Sequence, residues 1–293
     1  MPSLSNHQSN LYTKCLFIGD SKSGKTGALT SLVAAGYKLR ILDFDNGLDV
    51  LKQFVLNECP DKIGNVEYRT LQDKRKGTSA GSIIDGSAQA FIRGIEMLDK
   101  WKYKEGTEII DLGKPYQWGP DCILVLDSLS RFSDAAYDWQ EQLVVPGKSG
   151  LVDNRAAYFE AQKAVIDAIQ TVTGDNFETN VIIIAHVRYM EIGGTEDPKT
   201  GKMVGGISKG FPQSVGSAIC SQIPQFFNSY ALFENSGGKR TLRTTSTSLI
   251  DLANPKPFAM AKSYPISTGL ADFFAVLRDG PKQEVPKLAV RRV

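Results

Sequence analysis

The chain has 293 residues, of which 42% are hydrophobic and 23% are charged, and its formal net charge is +2. This length predicts one large α/β domain with insertions and mobile ends, and the composition excludes a fibrous or wholly disordered protein. The small net charge argues against a surface built mainly to attract polyanions, while leaving room for a local basic groove.

The cysteines and the N-terminal residues indicate the compartment. Four cysteines lie far apart without a C-x-x-C pair, which argues against both structural zinc and a disulfide framework. Residues 1–10 are polar, and no apolar stretch has the length of a bilayer span. We therefore expect a soluble cytoplasmic protein without a membrane partner.

Strand and helix patterns alternate at the start of the chain. Residues 1–12, rich in Ser, Asn and Gln, predict a flexible N-terminal segment that precedes a domain over residues 13–278. The patterns that follow are apolar runs at 15–18 and 37–42, and helical stretches at 26–35 and 47–56. This βαβα beginning favours a parallel sheet.

The middle of the chain combines buried strands with polar segments. Continuously apolar runs at 122–126 and 181–185 predict strands that are buried on both faces. Helices are predicted over 88–101 and 154–172. Three segments rich in glycine or polar residues predict irregular loops, at 73–87, 102–120 and 192–216.

The last third of the chain predicts a β-hairpin and a closing helix. Two strand-like runs flank a glycine-rich turn at residues 235–238, which is typical of a hairpin. Residues 269–278 have helical composition, and residues 279–293 form a tail that contains Pro and Lys.

The loop after the first strand matches the pattern G-x-x-x-x-G-K-[ST]. Its glycines allow backbone N–H groups to surround phosphate oxygens, Lys25 would reach the β- and γ-phosphates, and the Thr26 hydroxyl would bind Mg²⁺. The alternative is a glycine-rich turn with an exposed lysine. The residues predicted to bind ATP are Gly19, Asp20, Ser21, Lys22, Ser23, Gly24, Lys25, Thr26 and Gly27.

Polar residues follow three further predicted strands. Asp127 ends an apolar strand, where its carboxylate could order the Mg²⁺ shell as a Walker B aspartate does, although it could instead cap the next helix. Asp43 and Asp45 end the second strand, where one could orient the attacking water or both could stabilise a turn. His186 ends another strand and could contact the γ-phosphate, although a lone histidine is more often structural.

These motifs, in this order, resemble the RecA-like ATPases, which include RecA, the DnaB-type helicases, KaiC and RadA. Residues 42–48 resemble the family segment that carries an acidic catalytic residue, which selects Asp45, although the family more often has Glu at that position. Residues 123–128 resemble the Walker B strand, and residues 184–188 resemble the strand end whose Gln or His couples nucleotide to DNA, here His186. The predicted fold is accordingly a RecA-like P-loop fold with a mainly parallel central sheet, flanking helices and a C-terminal β-hairpin.

The chain also resembles phage-encoded, single-domain RecA-like ATPases that include Sak-type annealing recombinases. This resemblance implies a homo-oligomer that binds single-stranded DNA and cooperates with a single-strand-binding protein. DNA loops would lie at 189–194 and 201–216, with phosphate contacts from Lys199, Lys202 and Lys209. Arg243 or Lys262 would complete a neighbouring subunit's site.

The sequence thus predicts a DNA-stimulated ATPase with ATP and Mg²⁺ as cofactors and with Asp45, Lys25 and His186 as catalytic residues. Two other functions are compatible with a P-loop. One is a kinase for a small molecule or nucleotide, and the other is a nucleotide-dependent assembly protein that does not catalyse.

Overall fold

The protein is described from a computed structural model, which covers residues 12–79, 81–144, 154–196 and 203–279. Nearly all of the predicted N-terminal segment and C-terminal tail therefore lie outside the described residues. Lys199 and Lys202, two of the predicted DNA contacts, lie outside them as well.

A single eight-stranded sheet forms the centre of the fold. Its strands, in their order across the sheet, are β16 (Ser263–Pro265), β15 (Lys239–Arg243), β14 (Ser229–Ser236), β1 (Lys14–Gly19), β9 (Thr179–Ala185), β8 (Gly119–Asp127), β2 (Lys38–Asp43) and β3 (Val66–Thr70). The six strands from β14 to β3 are parallel, whereas β15 and β16 pair antiparallel. The predicted parallel sheet and C-terminal hairpin are therefore confirmed.

Helices cover both faces of this sheet. Their bounds are α1 (Lys25–Ala28), α2 (Thr30–Ala34), α3 (Asp49–Glu58), α4 (Ala90–Asp99), α5 (Leu129–Leu143), α6 (Asn154–Thr173) and α7 (Gly269–Asp279), with 3₁₀ turns at Pro60–Asn65, Pro115–Gln117 and Ile223–Phe226. One core contains residues from α1, α2, α3 and α7, and the other contains residues from α4, α5 and α6. Across the described residues, no helix is both long and apolar enough to cross a membrane.

The alternation of side chains along each central strand explains why these strands are apolar at every position. In β1, Leu16 and Ile18 enter the α4–α5–α6 core, whereas Cys15 and Phe17 enter the other core. Successive side chains in a strand point to opposite faces, so a strand covered on both sides needs a continuous apolar run. Such runs hold the C-terminal ends of these strands in fixed positions along one edge.

The predictions of irregular loops at 73–87 and 102–120 are wrong, because both segments contain paired strands. The first contains β4 (Arg75–Thr78) with β5 (Gly81–Ile84), and the second contains β6 (Lys102–Glu105) with β7 (Glu108–Asp111). These strands have four residues each and are mostly exposed, so they need few apolar residues and carry little alternation.

The prediction of a long irregular loop at 192–216 is also wrong over its described residues. β10 (Val187–Ile192) pairs antiparallel with β13 (Ile207–Pro212), and β11 (Thr195–Glu196) pairs with β12 (Met203–Val204). Backbone hydrogen bonds between the strands stabilise this arrangement although the sequence is rich in Gly, Lys and Ser. We call the pair of β10 and β13 the ribbon.

Two elements of the fold received no bounds from the sequence. Helix α5 begins directly after Ser128, and it buries Leu129, Phe132 and Ala136 on one face. Strand β3 forms the edge of the sheet beside β2, and its residues are only partly buried. The apolar residues of α5 recur at helical spacing, and β3 is an edge strand. Both patterns are weaker signals in a sequence than a continuous apolar run.

Candidate functional site

The loop between β1 and α1 requires glycine at both fixed positions of its motif. A Cβ atom on Gly19 would lie 2.6 Å from the Phe233 carbonyl oxygen and 2.7 Å from Ser23 Oγ. Gly24 has a φ of 96°, which is unfavourable for residues with a Cβ atom. The sequence pattern and the backbone geometry therefore agree on a closely wrapped loop.

Lys25 folds back across this loop. Its Nζ donates hydrogen bonds to the carbonyl oxygens of Gly19 and Asp20, both at 2.8 Å. Burial lowers the pKa of Lys25, and the carboxylates of Asp127, Asp45 and Asp20 oppose this shift. The site thus holds a largely desolvated cation at the place where the motif requires one for phosphate.

The remaining motif residues shape the cradle. Lys22 has a left-handed φ of 66°, and the buried Ser23 hydroxyl has no hydrogen-bond partner among the described residues. A Cβ atom on Gly27 would lie 2.9 Å from the Phe54 ring of α3, so Gly27 allows α1 to pack closely against α3. Glycine at position 27 therefore has a packing reason.

A hydrogen bond connects the loop to the end of β8. Thr26 Oγ1 donates to Asp127 Oδ2 at 2.7 Å, across 101 positions of sequence. Asp127 is buried, and this burial raises its pKa to about 6 even though the Thr26 hydrogen bond acts in the opposite direction. The structure thus brings together the two predicted Mg²⁺ ligands.

These two oxygen ligands fit a magnesium ion that is shared with a nucleotide. Mg²⁺ prefers oxygen ligands, and it is commonly held by one or two protein groups together with substrate phosphates and water. Among the described residues, no group of three or more His, Cys, Asp or Glu side chains could hold a metal by itself. Thr26 and Asp127 would hold the ion from the protein side.

Asp45 lies at the same edge and is surrounded by donors. Ser128 Oγ donates to Asp45 Oδ1 at 3.1 Å, His186 Nε2 lies 3.8 Å from Oδ2, and Arg131 Nε lies 4.0 Å from Oδ1. Burial raises the pKa of Asp45, but His186, Ser128 and Arg131 together outweigh burial and place the pKa below its usual value. Asp45 is therefore a carboxylate at neutral pH.

His186 connects Asp45 with the ribbon. Its backbone N–H donates to Ser130 Oγ at 3.1 Å, and its carbonyl oxygen accepts from Gln213 N at 2.8 Å. Gln213 directly follows β13, so His186 lies at the base of the ribbon as well as beside Asp45. A movement of His186 can therefore be transmitted to β13 and, through strand pairing, to β10.

Asp43 has different surroundings from Asp45. Its carboxylate accepts hydrogen bonds from Thr70 Oγ1 at 3.1 Å and from Gly47 N at 3.4 Å, and burial raises its pKa. It lines a cavity of about 400 Å³ between α3 and β3. Asp43 thus stabilises the turn after β2 and the neighbouring strand.

Two residues of the cluster received no role from the sequence. Ser128 donates to Asp45 and also accepts from the backbone N–H of Arg131 as the N-cap of α5. Arg131 lies in the first turn of that helix, beside Asp45. The sequence offered Asp127 as a cap of the next helix, whereas Ser128 is the residue that caps α5. Assigning the cap to Ser128 would have placed both residues near the site.

The two residues predicted to act on a neighbouring subunit lie near the C-terminal hairpin. Arg243 Nε donates to Glu234 Oε2 at 2.7 Å, so its charge is paired within its own chain. Lys262 is exposed, next to β16.

The AAA domain family (AAA_24) matches residues 11–251, which include every residue of the cluster. No curated protein is significantly similar to the chain.

Three solved structures resemble this chain at low sequence identity. The RadB recombinase is 14% identical, with 79% of each chain covered and a TM-score of 0.42. The ATPase EscN of the type III secretion system of enteropathogenic E. coli is 11% identical, with 76% of this chain and 42% of that chain covered and a TM-score of 0.39. The ATP synthase subunit NeqB from Nanoarcheaum equitans is 8% identical, with 76% and 47% covered and a TM-score of 0.37.

The contact between Thr26 and Asp127 generates a prediction about magnesium. Thr26→Val removes the hydroxyl that would bind Mg²⁺. The gain in ADP affinity on adding Mg²⁺ should therefore fall by about 10-fold, which is the size expected for one lost ligand contact. Isothermal titration with and without Mg²⁺ measures this gain. Thr30→Val is the matched control, because the buried Thr30 hydroxyl lies one turn further along and has no partner among the described residues. An undiminished Mg²⁺ effect in Thr26→Val would exclude this ligand.

Proposed function

We propose that this chain, which belongs to the AAA domain family, binds ATP with Mg²⁺ at residues 19–27 and hydrolyses it. The observation that carries this proposal is the cluster of Lys25, Thr26, Asp127, Asp45 and His186. They come from the ends of three neighbouring parallel strands, β9, β8 and β2, and from the helix that follows a fourth, β1. A P-loop alone serves many reactions, whereas this cluster adds groups suited to water activation.

Binding would depend on the backbone of the loop and on Lys25. Nucleotide phosphates would replace the carbonyl oxygens of Gly19 and Asp20 as partners of Lys25 Nζ. Mg²⁺, when bound, would neutralise phosphate charge. Because Lys25 and Asp127 are already buried and positioned, little reorganisation would be needed when charge develops.

Asp45 is the group best suited to orient the attacking water. Its lowered pKa keeps it ionised, and Ser128 fixes one of its oxygens. Its negative charge acts on both Lys25 and Asp127, so it lies in the same electrostatic environment as the phosphate site. A carboxylate held in this way can accept a hydrogen bond from water and align it with the γ-phosphate.

Asp45→Asn should retain ADP affinity and reduce ATP turnover by about 100-fold or more, since general bases contribute factors of that order. Phosphate release at saturating ATP measures turnover, and titration with ADP measures affinity. Asp43→Asn provides the control, because the Asp43 carboxylate is occupied by Thr70 and Gly47, and it should turn over ATP normally. Equal turnover in Asp45→Asn and the unmodified protein would assign water activation to another residue.

The ribbon supports a second part of the proposal, the binding of single-stranded DNA. Arg188 and Tyr189 lie on β10, and Tyr189 is about half exposed. Sequence-tolerant binding of single strands combines positive charge with aromatic rings on which bases stack. Lys209 on β13 adds a cation, although it pairs with Asp251 at 3.0 Å.

The position of the ribbon also supports coupling between DNA and nucleotide. Burial raises the pKa of Tyr189, and the negative charge of Asp20 in the P-loop adds to this shift. The base of the ribbon is bonded to His186 through Gln213. Loss of the γ-phosphate could therefore alter the contacts of His186 and, through them, the ribbon.

We further propose that the chain acts as a homo-oligomer on single-stranded DNA in phage-type recombination, annealing or replication, with a single-strand-binding protein as a partner. An oligomer would allow Lys262, or Arg243 after release from Glu234, to reach the nucleotide of a neighbour. These assignments extend the resemblance of the motifs to RecA-like proteins.

A single-stranded oligonucleotide should stimulate ATP turnover, and its affinity should fall as salt rises because phosphate contacts release counterions. Tyr189→Ala should weaken DNA binding by about 10-fold, within the range of one lost base stack. Fluorescence anisotropy of a labelled oligonucleotide measures this affinity. Tyr68→Ala removes a comparably exposed tyrosine from β3 and should leave binding unchanged.

Two outcomes would contradict the DNA proposal. One is the absence of both DNA binding and stimulation at low salt. The other is transfer of phosphate from ATP to a small acceptor, which would instead identify a kinase.

A further inference from the structure

The C-terminal hairpin extends beyond the P-loop at the nucleotide edge of the sheet. Strand β1 ends at Gly19, which lies beside Phe233 of β14. Strand β14 continues for three more residues, to Ser236, before the chain turns into β15. The tip of the hairpin therefore stands over the phosphate cradle.

The pairing of β14 and β15 determines which hairpin side chains face the cradle. Leu242 enters the core that contains α1 and α2, so Arg240, two residues earlier in β15, lies on that same face. Lys239 and Thr241 lie on the opposite face. Two neighbouring cations of the hairpin thus point to different sides of the sheet.

Arg240 contacts the P-loop directly. A Cβ atom on Gly24 would lie 3.0 Å from Arg240 Cδ, 3.7 Å from Arg240 Nε and 2.6 Å from Ile266 Cδ1. The Arg240 side chain therefore lies in the space beside the second motif glycine, whose φ of 96° is the stronger reason for glycine there. Ile266 packs against the core that contains α1 and α2, and it also lies beside Gly24.

The guanidinium of Arg240 is available for a ligand. Among the described residues, no carboxylate lies within ion-pair distance of it, whereas Arg243 on the same strand is paired with Glu234. Arg240 is exposed, so its charge remains solvated in the absence of a partner. A planar guanidinium with several N–H donors is well suited to phosphate oxygens.

The order of strands indicates which part of a nucleotide Arg240 would meet. Asp127 ends β8, and Asp45 and His186 follow β2 and β9; these three strands lie on one side of β1. The hairpin lies on the other side of β1, so Arg240 approaches the P-loop from the side opposite the γ-phosphate chemistry. It would therefore meet the phosphates nearer the nucleoside, which ATP and ADP share.

We propose that Arg240 binds the α- or β-phosphate of a nucleotide held in the P-loop of its own chain. This inference rests on the proposed nucleotide site and adds a phosphate-binding residue that neither the motifs nor the family match assigns. Because the contact serves ATP and ADP alike, it contributes binding that is equal in the ground state and the transition state.

Titration of the full chain with Mg–ADP and with Mg–ATP tests this proposal. Arg240→Ala should weaken the binding of both nucleotides by about 10- to 100-fold, which is the range of one charged hydrogen-bonding contact. Turnover at saturating ATP should change by less than about 3-fold. Arg240→Gln should behave like Arg240→Ala, and Arg240→Lys should lie between Arg240→Ala and the unmodified protein. Lys239→Ala, the control on the opposite face, should bind normally.

Three outcomes would overturn the proposal. If the unmodified protein binds nucleotide and Arg240→Ala binds it with the same affinity, Arg240 does not have this role, and the proposed function remains intact. Equal weakening by Lys239→Ala would indicate a general effect of charge. Failure of the unmodified protein to bind either nucleotide would overturn the proposed function itself.

A mixing experiment distinguishes action within a chain from action on a neighbour. Arg240→Ala subunits have an intact P-loop, whereas Lys25→Ala subunits have an intact Arg240. If Arg240 acts within its own chain, mixing the two variants should not restore the nucleotide affinity or the turnover at low ATP. Restoration would show that Arg240 reaches a neighbouring nucleotide and would contradict the proposal.

Discussion

The hydrogen bond from Thr26 to Asp127 joins the two parts of the chain on which the whole site depends. Thr26 lies in the first turn of α1, the helix after β1, and Asp127 ends β8. Strand β9 lies between β1 and β8 in the sheet. The contact can form only because apolar side chains on both faces fix how far each parallel strand extends. The two cores therefore position the chemistry at the sheet edge, although they contribute none of its reactive groups.

Burial gives the charges at this edge their properties. Burial lowers the pKa of Lys25 and raises that of Asp127 to about 6, which disfavours both charged forms. The opposite charge of each group acts against this shift in the other. Asp45 differs because three neighbouring donors outweigh its burial and keep its pKa low. An arrangement of buried charges is costly without a ligand, and a bound nucleotide with Mg²⁺ would supply the missing partners.

The strongest sequence signals correspond to the most constrained parts of the structure. Continuous apolar runs located β1, β8 and β9, and the polar residue after each run then identified the edge that holds the P-loop, Asp127 and His186. The ribbon and the two small hairpins were missed because backbone pairing stabilises them without an apolar pattern. Arg240 could not be recognised either, because its importance arises from a strand register and from the space beside Gly24.

The central claim is that residues 19–27 bind ATP through Lys25. Isothermal titration of the unmodified protein and of Lys25→Ala with Mg–ATP tests it most directly, once circular dichroism has shown that the variant is folded. The account predicts saturable binding to one site per chain in the unmodified protein and a loss of at least about 100-fold in the variant, because a buried phosphate contact would be removed. Equal affinity in the two proteins would contradict it.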